Sequence, residues 1–311
     1  MHIDFMLETF DRNKHQEAII WKNDSYTYEW LLNRYRYWIE KIATENITPG
    51  TVAVVEADFS PNSVALFLAL IQCSCILVPL TSSVESNKPE FIEIAQGNVA
   101  FSFDKNDIVE VKSLPHKVNH PLYQQLIDSQ QPGLVLFSSG STGKSKAAVH
   151  NLKGILEKFK VPRHSLRVVP FLLYDHIGGV NTMLYTLSNG GCMVTVDERT
   201  PDAVLSAIDK YKVELLPTSP TFINMLLLSE AHQRYSLESL KIVSYGTEPM
   251  PESTLTRFHG LFPSIKLLQT YGLSEVGILR SKSKSSESLW VKVGGEGFQT
   301  RVVEGILQIK T

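Results

Sequence analysis

The chain has 311 residues, of which 43% are hydrophobic and 20% are charged, and its formal net charge is −2. This is the composition of an ordinary globular protein, with enough apolar material for about two domain-sized units. No long run of like charge is present, so the sequence gives no support to a nucleic acid or an anionic membrane as partner.

The cysteines do not form the pattern of a disulfide framework, because there are three of them and two lie inside an apolar run. We expect buried, unreactive thiols in a reducing compartment, which favours a cytoplasmic protein. The first residues lack the basic start and apolar stretch of a signal peptide. The most apolar segment, 64–80, is barely long enough to span a bilayer, and we expect a buried helix that runs into a buried strand instead.

Alternating hydrophobic patterns predict an α/β fold along most of the chain. A helix is predicted to begin near Thr27 and Tyr28 and to end at residue 41. A strand at 51–57, a helix at 62–72 and a strand at 74–80 indicate a βαβ unit with a parallel sheet. Further strands are predicted at 98–103, 133–137, 167–172, 192–196, 214–217, 241–245 and 266–269, and further helices at 151–160, 179–187, 202–210, 221–229 and 251–262.

The hydrophobic pattern changes after Gly277. Residues 282–288, KSKSSES, form a polar loop, and residues 289–310 read as short strands around several glycines. This part is typical of a meander or half-barrel added to the α/β body.

The segment from Ser138 to Lys146 reads Ser-Ser-Gly-Ser-Thr-Gly-Lys-Ser-Lys and follows a predicted strand. Its glycines let backbone N–H groups turn toward an anion, and its hydroxyls can donate to phosphate oxygens. Its lysines bring positive charge to the same place. These residue types together predict a loop that holds a polyphosphate.

This loop is not a Walker A motif, because the residue five positions before Gly143 is Ser138 and not glycine. The residues after Lys146 also read as extended, whereas a Walker loop leads straight into a helix. A phosphotransferase is therefore disfavoured. A flexible Ser/Gly linker is disfavoured as well, because apolar runs bound the loop on both sides.

Residues 134–150, LVLFSSGSTGKSKAAVH, resemble the phosphate-loop signature of the adenylate-forming, or AMP-binding, superfamily. That superfamily includes acyl-CoA synthetases, the adenylation domains of peptide synthetases and firefly-type luciferases. This chain departs from the usual pattern at Ser138, Ser145 and Ala147, where the family has Thr, Pro and Gly. The resemblance implies that Thr142 and Lys146 take part in the reaction. It also implies an ATP-binding set made of Ser138, Ser139, Gly140, Ser141, Thr142, Gly143, Lys144 and Lys146.

Other segments resemble family motifs in the family's order. Residues 25–31, 67–80 and 305–310 are similar to structural segments without chemistry of their own. Residues 169–180, VPFLLYDHIGGV, resemble the segment Pro-Leu-Phe-His-x-x-Gly, in which His176 would line the acyl pocket and the approach of the thiol acceptor. In amino-acid-activating relatives an Asp in this segment holds the substrate amine. The register here places His176 and not Asp175 at that position, which implies a substrate without an α-amino group.

Two more motifs imply the adenine and magnesium contacts. Residues 244–250, SYGTEPM, are similar to the Gly-Gly-Glu/Ala-Pro-Leu turn, with Tyr245 in the place of a usual glycine. Residues 269–275, QTYGLSE, match the motif Tyr-Gly-x-Thr/Ser-Glu. The roles that follow are nucleotide binding by Gly246, Thr247, Glu248, Tyr271, Gly272 and Ser274, adenine stacking by Tyr271, and catalysis with Mg²⁺ binding by Glu275. The implied substrate pocket is lined by Phe171, Tyr174, His176, Gly178, Tyr245 and Gly246.

The resemblance implies two stacked, doubly wound α/β subdomains at 1–150 and 151–280, followed by the start of a β-barrel subdomain at 281–311. It implies activation of a small carboxylic acid with ATP and Mg²⁺, then acyl transfer to a thiol of CoA or of phosphopantetheine on an acyl carrier protein. The family's ribose-binding Thr-Gly-Asp motif and the lid domain with its catalytic lysine do not occur in these residues. We therefore expect the N-terminal part of a longer enzyme, which turns over slowly alone. The alternative is a catalytically inactive nucleotide- or acyl-binding module.

Overall fold

The computed structural model describes residues 1–138, 145–294 and 298–310 of a mixed α/β protein. The helices of this part of the chain are α1 Asp4–Arg12, α2 Tyr28–Thr44, α3 Pro61–Gln72, α4 Lys88–Ile94, α5 Pro121–Asp128, α6 Leu152–Glu157, α7 Ile177–Ser188, α8 Pro201–Tyr211, α9 Pro220–Ser229 and α10 Glu252–Leu261. The strands up to residue 245 are β1 Glu17–Trp21, β2 Asp24–Thr27, β3 Val52–Glu56, β4 Ile76–Leu80, β5 Val99–Phe103, β6 Val109–Ser113, β7 Gly133–Ser138, β8 Lys146–Asn151, β9 Arg167–Val168, β10 Cys192–Val194, β11 Leu215–Thr218 and β12 Ile242–Tyr245. The later strands are β13 Lys266–Gln269, β14 Tyr271–Leu273, β15 Gly277–Leu279, β16 Ser281–Ser283, β17 Val291–Val293, β18 Gln299–Val303 and β19 Ile306–Lys310.

The chain divides into two compact units. The first consists of residues 1–165 and 173–195, and the second of residues 166–172 and 196–311. The segment with α7 and β10 belongs to the first unit. The division into three subdomains stays a prediction.

The first unit contains a six-stranded sheet in the order β6-β5-β3-β4-β7-β8. Its inner strands β5, β3, β4 and β7 are parallel, and β6 and β8 close the two edges antiparallel. The predicted βαβ unit is confirmed as β3, α3 and β4. Residues 61–71 of α3 are all buried, as expected for a helix that is apolar around its whole circumference. The first unit also pairs β1 with β10 in parallel and with β2 antiparallel.

The predicted helix near Thr27 is confirmed as α2, with the Thr27 side chain accepting a hydrogen bond from the Trp30 N–H as its N-cap. Helix α2 is amphipathic. Its apolar face packs inward, so that Tyr28, Leu31 and Trp38 are buried. Among the described residues, no helix is long and apolar enough to cross a membrane.

The second unit carries the parallel strands β9, β11, β12 and β13, with β11 between β9 and β12. Helix α8 precedes β11, α9 connects β11 to β12 and α10 connects β12 to β13, which is the predicted strand–helix alternation. The last part forms antiparallel hairpins, β14 with β15, β16 with β17 and β18 with β19. The short strands predicted within 289–310 are confirmed as β17, β18 and β19. β14 and β15 were not predicted, and β16 includes residues 282 and 283, where the polar character of the segment had indicated a loop. The three cysteines are free thiols, and burial raises the pKa of Cys73 and Cys75.

Candidate active site

The predicted phosphate loop lies between two paired strands of the first unit. β7 ends at Ser138 and β8 begins at Lys146, and these two residues pair in the antiparallel register. The prediction that the chain is extended after Lys146 is confirmed, which separates this loop from a Walker loop. The predicted ligands Ser139, Gly140, Ser141, Thr142, Gly143 and Lys144 lie outside the described residues. Their roles stay predictions.

Two hydrogen bonds connect Thr81, directly after the neighbouring strand β4, to Asp175, the residue before His176. The Asp175 carboxylate accepts a hydrogen bond from the Thr81 N–H at 3.1 Å and another from the Thr81 hydroxyl at 2.6 Å. Thr81 directly follows β4, which is parallel to β7. Parallel neighbouring strands have their carboxyl ends on the same side of a sheet. Ser138 and the Asp175–His176 segment therefore both lie at the carboxyl ends of the parallel strands of the first unit.

His176 is the N-cap of α7. Its Nδ1 accepts a hydrogen bond from the Gly178 N–H at 3.0 Å, so the neutral ring carries its proton on Nε2. Burial lowers the pKa of His176 below its ordinary value of 6.5, and the nearby Asp175 carboxylate opposes this shift. His176 therefore presents a neutral imidazole with one N–H donor at this edge of the first unit.

Substitutions of His176 separate its capping role from its imidazole. We expect His176→Ala to lower the free energy of unfolding by about 1 kcal/mol through loss of the cap, whereas His176→Asn keeps a capping oxygen and most of that stability. Because its folded pKa is depressed, the wild type should also lose stability as the pH falls from 6.5 through that lowered pKa. His176→Asn should lose less stability over that range, because it removes this contribution and leaves that of His2, whose pKa is also lowered. Urea unfolding between pH 5 and 8 measures both effects. Equal stability of the Ala and Asn variants contradicts the capping role.

The remaining predicted pocket residues of this segment occupy different surroundings. Tyr174 is fully buried in the first unit, where its ring packs on Phe59 and Phe67 and its hydroxyl donates to the Ser63 carbonyl at 3.3 Å. Gly178 is buried in the first turn of α7. Phe171 belongs to the second unit and is half-buried, with its ring centroid 4.3 Å from that of Phe222. Pocket roles for all three stay predictions.

In the second unit, the ends of β12 and β13 bring the two predicted adenine motifs together. The Tyr245 carbonyl accepts hydrogen bonds from the Thr270 N–H at 2.7 Å and from the Thr270 hydroxyl at 3.1 Å. A Cβ atom on Gly246 would lie 2.6 Å from the Thr270 hydroxyl oxygen and 2.9 Å from its backbone oxygen. Gly246 is therefore required for the close approach of these two strand ends.

The conformation that favours glycine occurs at Thr247 and not at Tyr245. Thr247 has a φ of 72°, which is unfavourable for a β-branched residue. Tyr245, in contrast, is a regular and buried strand residue that pairs with Thr218 on one side and Gln269 on the other. The left-handed backbone of this turn therefore lies at Thr247, and the role of Tyr245 in the substrate pocket stays a prediction. Strain of this kind is concentrated at functional sites.

The predicted ligand Glu248 is exposed, and its side chain lies beside the N-terminus of α9. Its carboxylate accepts a hydrogen bond from the Thr221 N–H at 2.8 Å, and the pKa of Glu248 is lowered by the Thr221 hydroxyl and, to a smaller extent, by this N–H. Ser219 caps the same helix through the Phe222 N–H. Glu248 therefore fixes the turn after Gly246 to the N-terminus of α9, and nucleotide binding by Glu248 stays a prediction.

The last predicted motif forms the β14–β15 hairpin of the second unit. Tyr271 is half-buried at its beginning, Gly272 lies against the Gly277 carbonyl, and Ser274 and Glu275 occupy the turn. A Cβ on Gly272 would lie 2.9 Å from that carbonyl oxygen, so glycine is required there. Glu275 is exposed at the tip of the hairpin.

The described residues contain no group of three or more His, Cys, Asp or Glu side chains that could hold a metal ion. Glu275 nevertheless fits an ion held mainly by phosphates, because Mg²⁺ keeps several waters and takes only one or two protein carboxylates at such sites. An exposed carboxylate at a hairpin tip is open to such an ion.

Sequence reasoning missed two groups next to these motifs. Gln269 has a buried side-chain carbonyl oxygen to which no described residue donates a hydrogen bond, directly before Thr270. Thr81 holds Asp175 across 94 positions of sequence, so no local pattern indicates it. The Gln269 position could have been found from the motif QTYGLSE, but its missing partner could not.

Comparison with known proteins places these features in a family. A family model described as AMP-binding enzyme matches residues 7–298. A 4-coumarate–CoA ligase-like protein of Arabidopsis thaliana is 25% identical, over 88% of this chain and 54% of its own length. The D-alanine–D-alanyl carrier protein ligase of Bacillus cereus is 20% identical, over 85% of this chain and 56% of its own length. The chain thus spans about half the length of these curated relatives.

A solved structure has the same fold. The N-terminal subdomain of NpsA from Klebsiella oxytoca, in complex with 3-hydroxybenzoyl-AMSN, gives a TM-score of 0.73 at 18% identity and covers 89% of this chain and 73% of that one. At this identity the likeness shows the fold alone. It agrees with the observed α/β units and small C-terminal hairpins.

Proposed function

The chain belongs to the family of AMP-binding enzymes, and from this we propose that it activates a carboxylic acid with ATP. In this reaction the acid's carboxylate oxygen attacks the α-phosphorus of ATP, a new P–O bond forms, and pyrophosphate leaves. The product is an acyl-adenylate. The acyl group then passes to a thiol, whose sulfur attacks the acyl carbon while AMP leaves.

The observation that carries this proposal is the meeting of SYGTEPM and QTYGLSE at the ends of β12 and β13. Two segments far apart in sequence converge at Tyr245 and Thr270, so tightly that only glycine fits at position 246. They lie at the carboxyl ends of parallel strands, which is where α/β sheets bind ligands. Thr247 at the same turn has a φ of 72°, and backbone strain of this kind is concentrated at functional sites.

We assign the roles of this chain's residues as follows. The segment from Ser138 to Lys146 binds the β- and γ-phosphates through N–H groups, hydroxyls and positive charge. Tyr271 stacks on adenine, and Ser274 donates to the α-phosphate. Glu275 holds Mg²⁺, which neutralises charge on the phosphates when bound. His176 lines the path of the thiol as a neutral donor.

The buried carbonyl oxygen of Gln269 is assigned to the adenine base. It lacks a donor, and the exocyclic amine of adenine is a donor of the required kind. Guanine carries an oxygen at the corresponding ring position, so two acceptors would face each other. This oxygen therefore favours ATP over GTP.

Replacing Gln269 by leucine tests this assignment. We expect ATP binding to weaken about tenfold or more and the preference for ATP over GTP to fall, because the amine loses its acceptor. The free energy of unfolding should stay the same or rise, because a buried unpaired oxygen is removed. Calorimetric titration with both nucleotides and urea unfolding measure these effects. Unchanged ATP/GTP discrimination contradicts the assignment.

The test of the proposed function uses the protein at concentrations equal to its substrates, so that a single slow turnover is detected. ATP, Mg²⁺ and a panel of aryl, medium-chain and small polar acids are added, and the acyl-adenylate is measured by mass spectrometry together with released pyrophosphate. An adenylate formed with any acid supports the proposal. ATP binding without an adenylate from any acid supports the inactive binding module instead, and absence of both overturns the assignment of the nucleotide site.

The acceptor is tested in a second step. The trapped adenylate is exposed to CoA, to pantetheine on an acyl carrier protein, and to hydroxylamine as a general nucleophile. Thioester formation with one thiol identifies the acceptor. Reaction with hydroxylamine alone contradicts the thiol-transfer half of the proposal.

A further inference from the structure

The outer edge of β13 is satisfied by serine side chains. The Gln269 N–H donates to the Ser283 hydroxyl oxygen at 2.7 Å, and the Leu267 N–H donates to the Ser286 hydroxyl oxygen at 3.2 Å. The Ser281 hydroxyl donates to the Gln269 carbonyl at 3.0 Å. Residues 281–286, which the sequence indicates only as the start of a polar loop, therefore hold the backbone of β13.

These contacts close the base of the β14–β15 hairpin. The hairpin leaves β13 after Gln269 and returns at Ser281, and the backbone N–H and carbonyl of Gln269 bind Ser283 and Ser281 respectively. The next residue, Thr270, is held from the other side by its bonds to the Tyr245 carbonyl. Gln269 is therefore held by the serines on one side, and Thr270 is held by Tyr245 on the other side.

The serine segment is itself attached to the body of the second unit. The Glu287 carboxylate lies 3.1 Å from Nε2 of His259 on α10. β16, which contains Ser281 and Ser283, pairs with β17. The serine segment is thus joined to α10 through Glu287 and to β17 through β16, in addition to its bonds to β13.

We propose that Ser281 and Ser283 are positioning residues that set the placement of the hairpin bearing Tyr271, Ser274 and Glu275. This inference rests on the proposed function, because it assigns the two serines to the nucleotide and magnesium side of the reaction. They touch neither substrate nor ion, and they act through the backbone of Gln269. A displacement of about 1 Å at such a site is costly for catalysis.

The test compares Ser283→Ala with Ser286→Ala. Both variants remove one hydroxyl acceptor from the same edge of β13. The Ser286 hydroxyl accepts from the N–H of Leu267, which is two residues farther from the hairpin than Gln269. In Ser283→Ala, we expect faster amide exchange at Gln269 and through residues 271–279, and about tenfold weaker binding of Mg-ATP with an unchanged KM for the acid. In Ser286→Ala, faster exchange should be confined to Leu267. Ser283→Thr keeps the hydroxyl and should restore Mg-ATP binding.

The outcomes separate this inference from the proposed function. If the wild type binds no Mg-ATP, the proposed function fails, while amide exchange still reports whether the serines hold the hairpin. If the wild type binds Mg-ATP and Ser283→Ala binds it as tightly as Ser286→Ala does, the positioning role is overturned. Equal losses in Mg-ATP and acid binding also overturn it, because they indicate a general loss of structure.

Discussion

Gly246→Ala is expected to lower the free energy of unfolding by about 1–3 kcal/mol and to remove ATP binding at concentrations that saturate the wild type. The added Cβ would meet the Thr270 hydroxyl oxygen at 2.6 Å and, more seriously, its backbone oxygen at 2.9 Å. The side chain could rotate, but the backbone oxygen can move only if β12 and β13 separate at their ends. That separation breaks the bonds from Thr270 to the Tyr245 carbonyl and displaces Tyr271.

A matched control is available in the same unit. Gly260 lies in α10, and nothing occupies the space within 4 Å of an added Cβ. Gly260→Ala should therefore raise the free energy of unfolding by up to about 1 kcal/mol through helix propensity and leave ATP binding unchanged. Urea unfolding and calorimetric titration on both variants give the comparison. Wild-type ATP binding by Gly246→Ala would show that the close approach of the strand ends is not needed for the site.

Glu275→Gln is expected to reduce Mg²⁺-dependent adenylation by about 100-fold or more with no change in unfolding. The amide keeps the shape of the side chain but removes the charge that attracts the ion. Because Glu275 is exposed at a hairpin tip, its charge contributes little to the fold. The expected signature is a shift of the Mg²⁺ concentration needed for half-maximal rate, measured by pyrophosphate release.

Glu238→Gln is the control for this substitution, because Glu238 is also exposed in the second unit and lies outside the predicted motifs. It should change neither the Mg²⁺ dependence nor the midpoint of unfolding. A Glu275→Gln protein with the wild-type Mg²⁺ dependence would exclude Glu275 as the magnesium ligand. A lowered unfolding midpoint would instead assign it a structural role.

The strand–helix alternation could be predicted because it depends on local hydrophobic pattern. The β3–α3–β4 unit, α2 with its Thr27 cap, and α6 with its Asn151 cap all follow from residues within one or two turns of each other. Strands β1, β2 and β6 were missed. β2 and β6 have no buried residue that marks them as strands, whereas β1 has three buried residues and was not recognised.

The site was predictable only to the level of motifs. The proximity of Gly246 to Thr270 and of Asp175 to Thr81 arises from packing between distant parts of the chain, which periodicity does not report. The left-handed backbone at Thr247 was not indicated, because a Thr in that conformation contradicts the local preference that sequence reasoning relies on. The serine contacts to β13 were hidden for the same reason, since a polar segment normally indicates a solvated loop.

The pairing of β7 with β8 bears on how far the loop between them can vary during evolution. Backbone hydrogen bonds from Gly133 opposite Asn151 to Ser138 opposite Lys146 fix the separation of the two ends of that loop. This separation does not depend on which side chains the ends carry, so a stiffening proline at position 145 or a glycine at position 147 is not needed to hold them together. The departures from the family pattern at Ser145 and Ala147 therefore leave the spacing of the loop's two ends intact.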